Sequence, residues 1–309
     1  MLSRVAETLY WTARYIERAE NVARLVNVNN HTLMDLPKGI SPGWEPLIDI
    51  IGSRETYIKD HINFNEQSVI EFLTIGEDNP SSIINSIKMA RDNCRTVRDV
   101  VPREMWEAIN QLNLSLNEHK STFVSKRGRF AALKSVINQT VKIVGILEAS
   151  MYQDMGYLFW RFGSYLERAD MTTRIIDVRS ASLHADPEKS IAYENIQWIS
   201  VLRSLSAYQM YRQHMAVRVK PTQVMEFMLH DKCFPRSVLF CLTSIQKLNE
   251  NLPNNKEMNA RIQHSIDDLL AQDIKSLKGT ASHLYIDELQ IDLADIHEQL
   301  VEQYFSHKR

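Results

Sequence analysis

The stretch Tyr15-Ile16-Glu17-Arg18-Ala19-Glu20 is made twice. Tyr165-Leu166-Glu167-Arg168-Ala169-Asp170 repeats it 150 residues on, almost half the length of the 309-residue chain. Between 15–28 and 165–178, six of 14 positions are identical. A weaker echo follows, Pro80-Ser81-Ser82-Ile83 against Pro235-Arg236-Ser237-Val238, offset by 155. The period is far longer than the roughly 20–50 residues of a solenoid repeat. The chain therefore reads as one domain, 1–309, built from two related halves of about 1–150 and 151–309 packed as one body.

Both copies of the motif fit a helix. Trp11, Tyr15, Arg18, Val22 and Leu25 recur at steps of four and three and share one stripe, with Tyr10, Arg14, Glu17, Asn21 and Arg24 beside it. The second copy gives Arg161, Tyr165, Arg168, Thr172 and Ile175, flanked by Trp160, Ser164, Glu167, Met171 and Arg174. Nine glycines and nine prolines in the whole chain allow few turns, hence long elements. No run of Val, Ile and Thr alternates with polar residues long enough to predict a strand. The expected fold is all-α, a duplicated multi-helix bundle of about 10–12 helices.

The motif helix is expected over about 3–34, stopped by Pro37-Lys38-Gly39. Residues 53–64 read as irregular. Asn79-Pro80 reads as a cap followed by proline in the first helical position, where its missing N–H is harmless. Asp186-Pro187-Glu188 starts a helix by the same logic, running to about Met215. Two long helices, about 256–278 and 283–305, close the chain.

Glu17 and Arg18 are sequential, so on a helix they point about 100° apart and cannot pair with each other. Each needs a partner elsewhere. If the two motif helices pack about a pseudo-twofold axis, Glu17 meets Arg168 and Glu167 meets Arg18. Removing one member of such a buried pair costs about 3–5 kcal/mol, through the charge left behind. A structural brace is the first reading of Glu17, Arg18, Glu167 and Arg168, with Tyr15 and Tyr165 beside them. The second is a pocket in which Arg14, Arg18, Arg24, Arg168 and Arg174 hold a carboxylate or phosphate, which the guanidinium fork suits. Acid–base chemistry at Glu17 or Glu167 is the third. Arg14 is not duplicated, since Ser164 takes its place.

Other features point away from common chemistries. A net charge of -2 lacks the basic excess that non-specific nucleic-acid contact requires. Cys94, Cys233 and Cys241 make neither a disulfide framework nor a zinc pattern and read as buried free thiols. Glu226 and His230 are spaced i,i+4, but the chain lacks the Glu-x-x-His of a di-iron bundle, so no metal and no cofactor are expected. No glycine-rich phosphate loop or nucleophile elbow is present. Lys126-Arg127-Gly128-Arg129 reads as a solvated basic loop. Nine acidic residues between Asp267 and Glu302 give the last two helices an acidic face, which suits solvent or a basic partner. No signal-peptide core and no 18-residue uncharged apolar run is evident, so a cytoplasmic location off the membrane is expected.

The opening Met1-Leu2-Ser3-Arg4-Val5-Ala6, Leu9-Tyr10-Trp11 and Arg14-Tyr15-Ile16-Glu17-Arg18-Ala19-Glu20-Asn21 resembles the alpha-E domain family. Gly43-Trp44-Glu45-Pro46-Leu47, Asn79-Pro80-Ser81-Ser82-Ile83 and Glu104-Met105-Trp106-Glu107 are similar as well. So are the second motif and Phe234-Pro235-Arg236-Ser237-Val238. The resemblance spans essentially the whole chain and implies a bacterial helical domain of unknown function. Such domains are encoded beside, or fused to, a circularly permuted ATP-grasp protein, often near a transglutaminase-like protein. It therefore implies a non-catalytic accessory or binding role with an ATP-grasp ligase-like partner in peptide synthesis or modification. An enzyme acting on a peptide or amino acid through the Glu/Arg cluster is the alternative, and a dimerisation scaffold, hence a homo-oligomer, a third. The family has no established catalytic residue, so none carries over.

Overall fold

A computed structural model of the protein describes residues 2–35, 43–184, 191–277 and 279–306. Among them are fifteen α-helices and no strand: α1 (Ser3–Asp35), α2 (Glu45–Ile51), α3 (Arg54–Asp60), α4 (Glu66–Thr74), α5 (Ile83–Thr96), α6 (Arg103–Glu118), α7 (Lys120–Val124), α8 (Arg129–Ser150), α9 (Met155–His184), α10 (Ile191–Ser204), α11 (Tyr208–His214), α12 (Pro221–His230), α13 (Val238–Asn249), α14 (Lys256–Ala271) and α15 (Thr280–Leu300). A 3-10 turn (Ile274–Ser276) precedes α15 and a π-turn (Val301–Phe305) follows it. The chain divides into two compact units. Unit 1 is Met1–Asn30, Gly43–Ser164 and Tyr304–Arg309; unit 2 is His31–Pro42 and Tyr165–Gln303.

Within unit 1, α2 packs on α3 and α4, α4 on α5 and α7, α5 on α6, and α6 on α8. Within unit 2, α10 packs on α11 and α12, α12 on α13 and the 3-10 turn, α13 on α14, and α14 on α15. The neighbour scheme is similar, except that α7 also packs on α8 and α12 on α14, and the burial pattern recurs. Buried Ile83, Ile84, Ser86, Ile87, Ala90 and Cys94 of α5 are matched, each 155 residues on, by buried Val238, Leu239, Cys241, Leu242, Ile245 and Asn249 of α13. Arg129, Leu133, Val136, Thr140, Ile143 and Leu147 of α8 are matched 153 residues on by Ser282, Ile286, Leu289, Leu293, Ile296 and Leu300 of α15. Each set follows the three-and-four step of a helix with one face inward.

Individual bonds recur too. The buried Tyr57 hydroxyl meets the Asn63 carbonyl at 2.8 Å and the Ser68 hydroxyl at 2.7 Å. The buried Tyr211 hydroxyl meets the Arg218 carbonyl at 3.3 Å and the Gln223 side chain at 3.4 Å. Both tyrosines stand edge-on to a phenylalanine, Phe72 and Phe227.

Three boundaries differ from expectation. Arg54–Asp60 is helical, although 53–64 reads as irregular; seven residues are too few to show a stripe, and Arg54 anchors the turn on Asp49 and Glu45 at 2.5 and 2.7 Å. The helix expected to reach Met215 breaks at Ser206, whose φ of 54° is left-handed, so α10 and α11 are separate. With α7, these account for fifteen helices against about 10–12. Pro80 and Pro235 do not occupy first helical positions either. Ser82 and Ser237 are the N-caps, accepting from the Asn85 and Phe240 amides at 3.3 and 3.1 Å. Asn79 instead turns back on the Ser81 amide at 3.0 Å. The stops at Pro37-Lys38-Gly39 and the start at Asp186-Pro187-Glu188 lie outside the described residues.

Both cap serines are fully buried, so an unmet amide there is costly. Ser82→Ala is expected to lose about 1 kcal/mol of stability and Ser237→Ala about 2, since Ser237 also donates to the Asp231 carbonyl. Urea unfolding measures both; unchanged midpoints would contradict the capping role.

Helix α8 is, among the described residues, the one helix long and apolar enough by composition to cross a membrane. It contains Lys134, Lys142 and Glu148, and its apolar stripe is buried inside unit 1.

Candidate functional site

In unit 1 the motif sits mid-way along α1. Glu17 is the buried member, 2% exposed, and its Oε2 accepts from the Ser164 hydroxyl at 3.3 Å. Arg18 is half-buried, with its guanidinium 5.8 Å from the Tyr15 ring centre. Arg14 donates to the Tyr10 hydroxyl at 3.1 Å and lies over the Tyr10 and Trp11 rings. Trp11 stacks on Tyr15. Arg18 thus stays beside Tyr15 of its own stripe: the carboxylate takes the inner face and the arginines run along an aromatic one, where cation–π attraction holds them. One turn on, Glu20 accepts from Arg24 at 2.8 Å and from the Thr140 hydroxyl of α8 at 3.3 Å.

Unit 2 builds the motif on α9 in the same way. Glu167 is 1% exposed, and Arg168 lies over Tyr165 at 5.7 Å. Arg168 donates to the Pro235 carbonyl at 3.4 Å, and Thr172 to the Arg236 carbonyl at 3.0 Å, tying α9 to the entry of α13. Tyr165 packs edge-on to Phe240 of α13. Arg174 pairs with Asp170 at 2.9 Å, the counterpart of Arg24 with Glu20. In each unit, residues of the motif helix thus bond to a second segment. Glu17 and Arg18 belong to unit 1, and Glu167 and Arg168 to unit 2.

Of the surplus arginines, Arg24 lines a cavity. It opens on a groove of about 660 Å³ between α1 and α8, with Lys134, Lys142, Asn27, Asn138 and Phe130. Three cations and two amides give it anion-binding chemistry. The periodicity of α1 could not have found the two lysines, which lie more than a hundred residues away.

At the corresponding positions of unit 2 the arginine is kept as Arg174, but carboxylates enter. Asn27 becomes Asp177, Phe130 becomes His283 and Lys134 becomes Asp287, at the offsets of 150 and 153. The His283 Nδ1 lies 2.6 Å from Asp177 and its Nε2 3.5 Å from Asp287. Ligand atoms of the three lie within 4.8 Å of one another. Both imidazole nitrogens face carboxylates, a geometry that suits a charged imidazole. Asp177 accordingly raises the His283 pKa above its ordinary 6.5. Burial raises Asp177, while His283 pulls it back. With His283 raised, its pairing contributes fully below pH 6.5 and is lost as pH climbs through the folded value. Asp177→Asn is expected to lower the His283 titration midpoint, followed by imidazole NMR shifts. A midpoint that stays put would refute the pairing.

Other expectations sort as follows. Cys94 and Cys241 are buried, but Cys233 is exposed, so the three do not form a uniformly buried set. Burial pushes the Cys94 thiol up to about 12. Glu226 and His230 form an i,i+4 pair at 3.5 Å. Arg129, read as part of a solvated loop, is 3% exposed; it begins α8 and points inward.

A fold that is all-helical among the described residues, with the glutamate of a Glu-Arg motif buried in each unit, is thereby defined. The Alpha-E family, "A predicted alpha-helical domain with a conserved ER motif", matches residues 1–305, and the chain belongs to it. It is similar to "Uncharacterized protein Mb2597" of Mycobacterium bovis and to "Uncharacterized protein Rv2567" of Mycobacterium tuberculosis, each 23% identical over 313 residues. The match covers 95% of this chain and 34% of each relative, so the chain spans about a third of the length of the curated relatives it matches. No solved structure matches it.

Proposed function

We propose that this protein is a non-catalytic helical accessory module, made of two copies of one helical unit. It would act with an ATP-grasp ligase-like partner in peptide synthesis or modification, binding the partner or its peptide. The observation that carries the binding role is the groove of Arg24, Lys134 and Lys142, a cationic surface suited to carboxylate or phosphate. Glu17 and Glu167 are almost wholly buried, which favours a bracing role over proton transfer to a substrate. The accessory role is supported by relatives that hold the same domain within much longer chains.

The test is co-purification with a neighbouring ATP-grasp protein, then ATP turnover on candidate peptides with and without this chain. Association together with faster or more selective turnover is expected. Neither association nor any effect on turnover would overturn the reading. Lys134→Glu with Lys142→Glu, both on the surface of α8, is expected to abolish the effect while melting stays unchanged. Full activity of that variant would show that the groove takes no part in the effect.

A further inference from the structure

The α14–α15 pair of unit 2 lines an open cavity of about 280 Å³. Its walls include Ser265, Asp268, Tyr285, Glu288 and Asp292. Two hydroxyls there are buried and unmatched. Ser265 is 1% exposed, and neither its Oγ nor the Tyr285 hydroxyl finds a hydrogen-bond partner in the protein. Unmatched buried hydroxyls are costly, and a ligand or water that donates to them relieves that cost. Around them stand three carboxylates. Asp292 is held by Arg261 at 2.7 Å, and Asp268 lies 3.2 Å from His264. Glu288 is exposed and makes no ion pair among the described residues. Burial, with the carboxylates adding to it, keeps the Tyr285 phenol protonated and neutral, so it adds no negative charge of its own.

Unit 1 has a cavity of about 220 Å³ at the same place, between α6 and α8. Every polar position differs. Asp268 is matched there by Ser115, Gln272 by His119, Tyr285 by Ala132 and Glu288 by Ser135, each at the offset of 153. The shared fold makes the cavity, and the acids and the phenol belong to unit 2 alone. Packing does not demand them, since the unit 1 copy of the fold closes with serine and alanine.

We propose that the α14–α15 cavity binds an alkylammonium group, either a free amine or a lysine side chain of a peptide. An ammonium offers three N–H donors and one positive charge. The Ser265 and Tyr285 oxygens accept two of the donors, and the carboxylates accept the third and balance the charge. A divalent cation fits less well, because two neutral hydroxyls are poor ligands for it and prefer a hydrogen-bond donor. This site does not depend on the ATP-grasp reading, and its test uses the full chain alone.

The probes are cadaverine, Nα-acetyl-lysine-N-methylamide, the matching glutamine derivative and magnesium chloride, followed by saturation-transfer NMR and calorimetry. Both amines are expected to bind and the neutral glutamine derivative not to. If cadaverine alone binds, the site takes free amines; if both do, it also accepts lysine side chains. Asp268→Asn with Glu288→Gln, both on exposed side chains, should weaken amine binding by about tenfold or more. Ser265→Ala should weaken it without lowering the melting temperature. Binding of magnesium but not amine, equal binding of the glutamine derivative, no binding at all, or unchanged affinity in the double variant would each overturn the proposal.

Discussion

Arg129→Ala is expected to destabilise the protein by about 3 kcal/mol, the lower end of the cost of breaking a buried ion pair. Arg129 is 3% exposed, and its guanidinium makes four bonds inside unit 1. Nε donates to the Phe123 carbonyl at 3.2 Å and Nη2 to the Val124 carbonyl at 3.2 Å. Nη1 donates to Asn30 at 3.1 Å and to Glu66 at 2.8 Å. Alanine would leave two carbonyls and an amide oxygen unmatched beside the end of α7. The lower end of the range applies because Glu66 keeps 34% of its side chain in solvent, with Lys126 at 3.6 Å. Arg129→Met separates the terms: it keeps much of the volume and loses every bond. A loss below about 1 kcal/mol in urea unfolding for the alanine variant would show the cluster to be dispensable.

Gly163→Ala is expected to cost about 1–3 kcal/mol, the range for forcing atoms into a filled space. A β-carbon there would stand 2.4 Å from the Tyr10 carbonyl oxygen and 3.1 Å from its carbon. Both are main-chain atoms of α1, so no rotamer change relieves the clash. At Gly163 the backbones of α1 and α9 approach closely. Gly145, in the middle of α8, is the control, since a β-carbon there meets nothing within 4 Å. Gly145→Ala should stabilise by about 0.5–1 kcal/mol through helix propensity alone. Opposite signs for two glycine-to-alanine changes in long helices are the signature to look for. The same sign for both would refute the close approach.

The all-helical class was legible in the sequence, because helical stripes and scarce Gly and Pro both follow directly from packing one face inward. That the motif recurs was legible for the same reason: Glu17 and Glu167 stand at matching helical positions, and both are buried. Which member would be buried was not. Periodicity placed Arg18 on the apolar stripe, but a guanidinium lies flat on an aromatic ring at a surface, and a carboxylate has no such option. Arg129 was misread because a run of three basic residues looks like a solvated loop, whereas the Asn30 and Glu66 that hold it are distant in the chain. The break at Ser206 has no glycine or proline to announce it. The acid-lined cavity of α14 and α15 was visible only as an acidic face. Which of those acids share a space with Ser265 and Tyr285 depends on how two helices meet.

The basic groove of unit 1 and the acidic clusters of unit 2 carry a practical consequence. A formal charge of -2 and a pI near 6.6 suggest a protein indifferent to charged surfaces near neutral pH. Arg24, Lys134 and Lys142 in one unit, and Asp177, Asp287 and the α14–α15 acids in the other, make it instead a patchy ampholyte. It should be retained by both cation and anion exchangers at the same pH, and mild salt should release it from either. Its behaviour on a column then reports local chemistry that its average charge conceals.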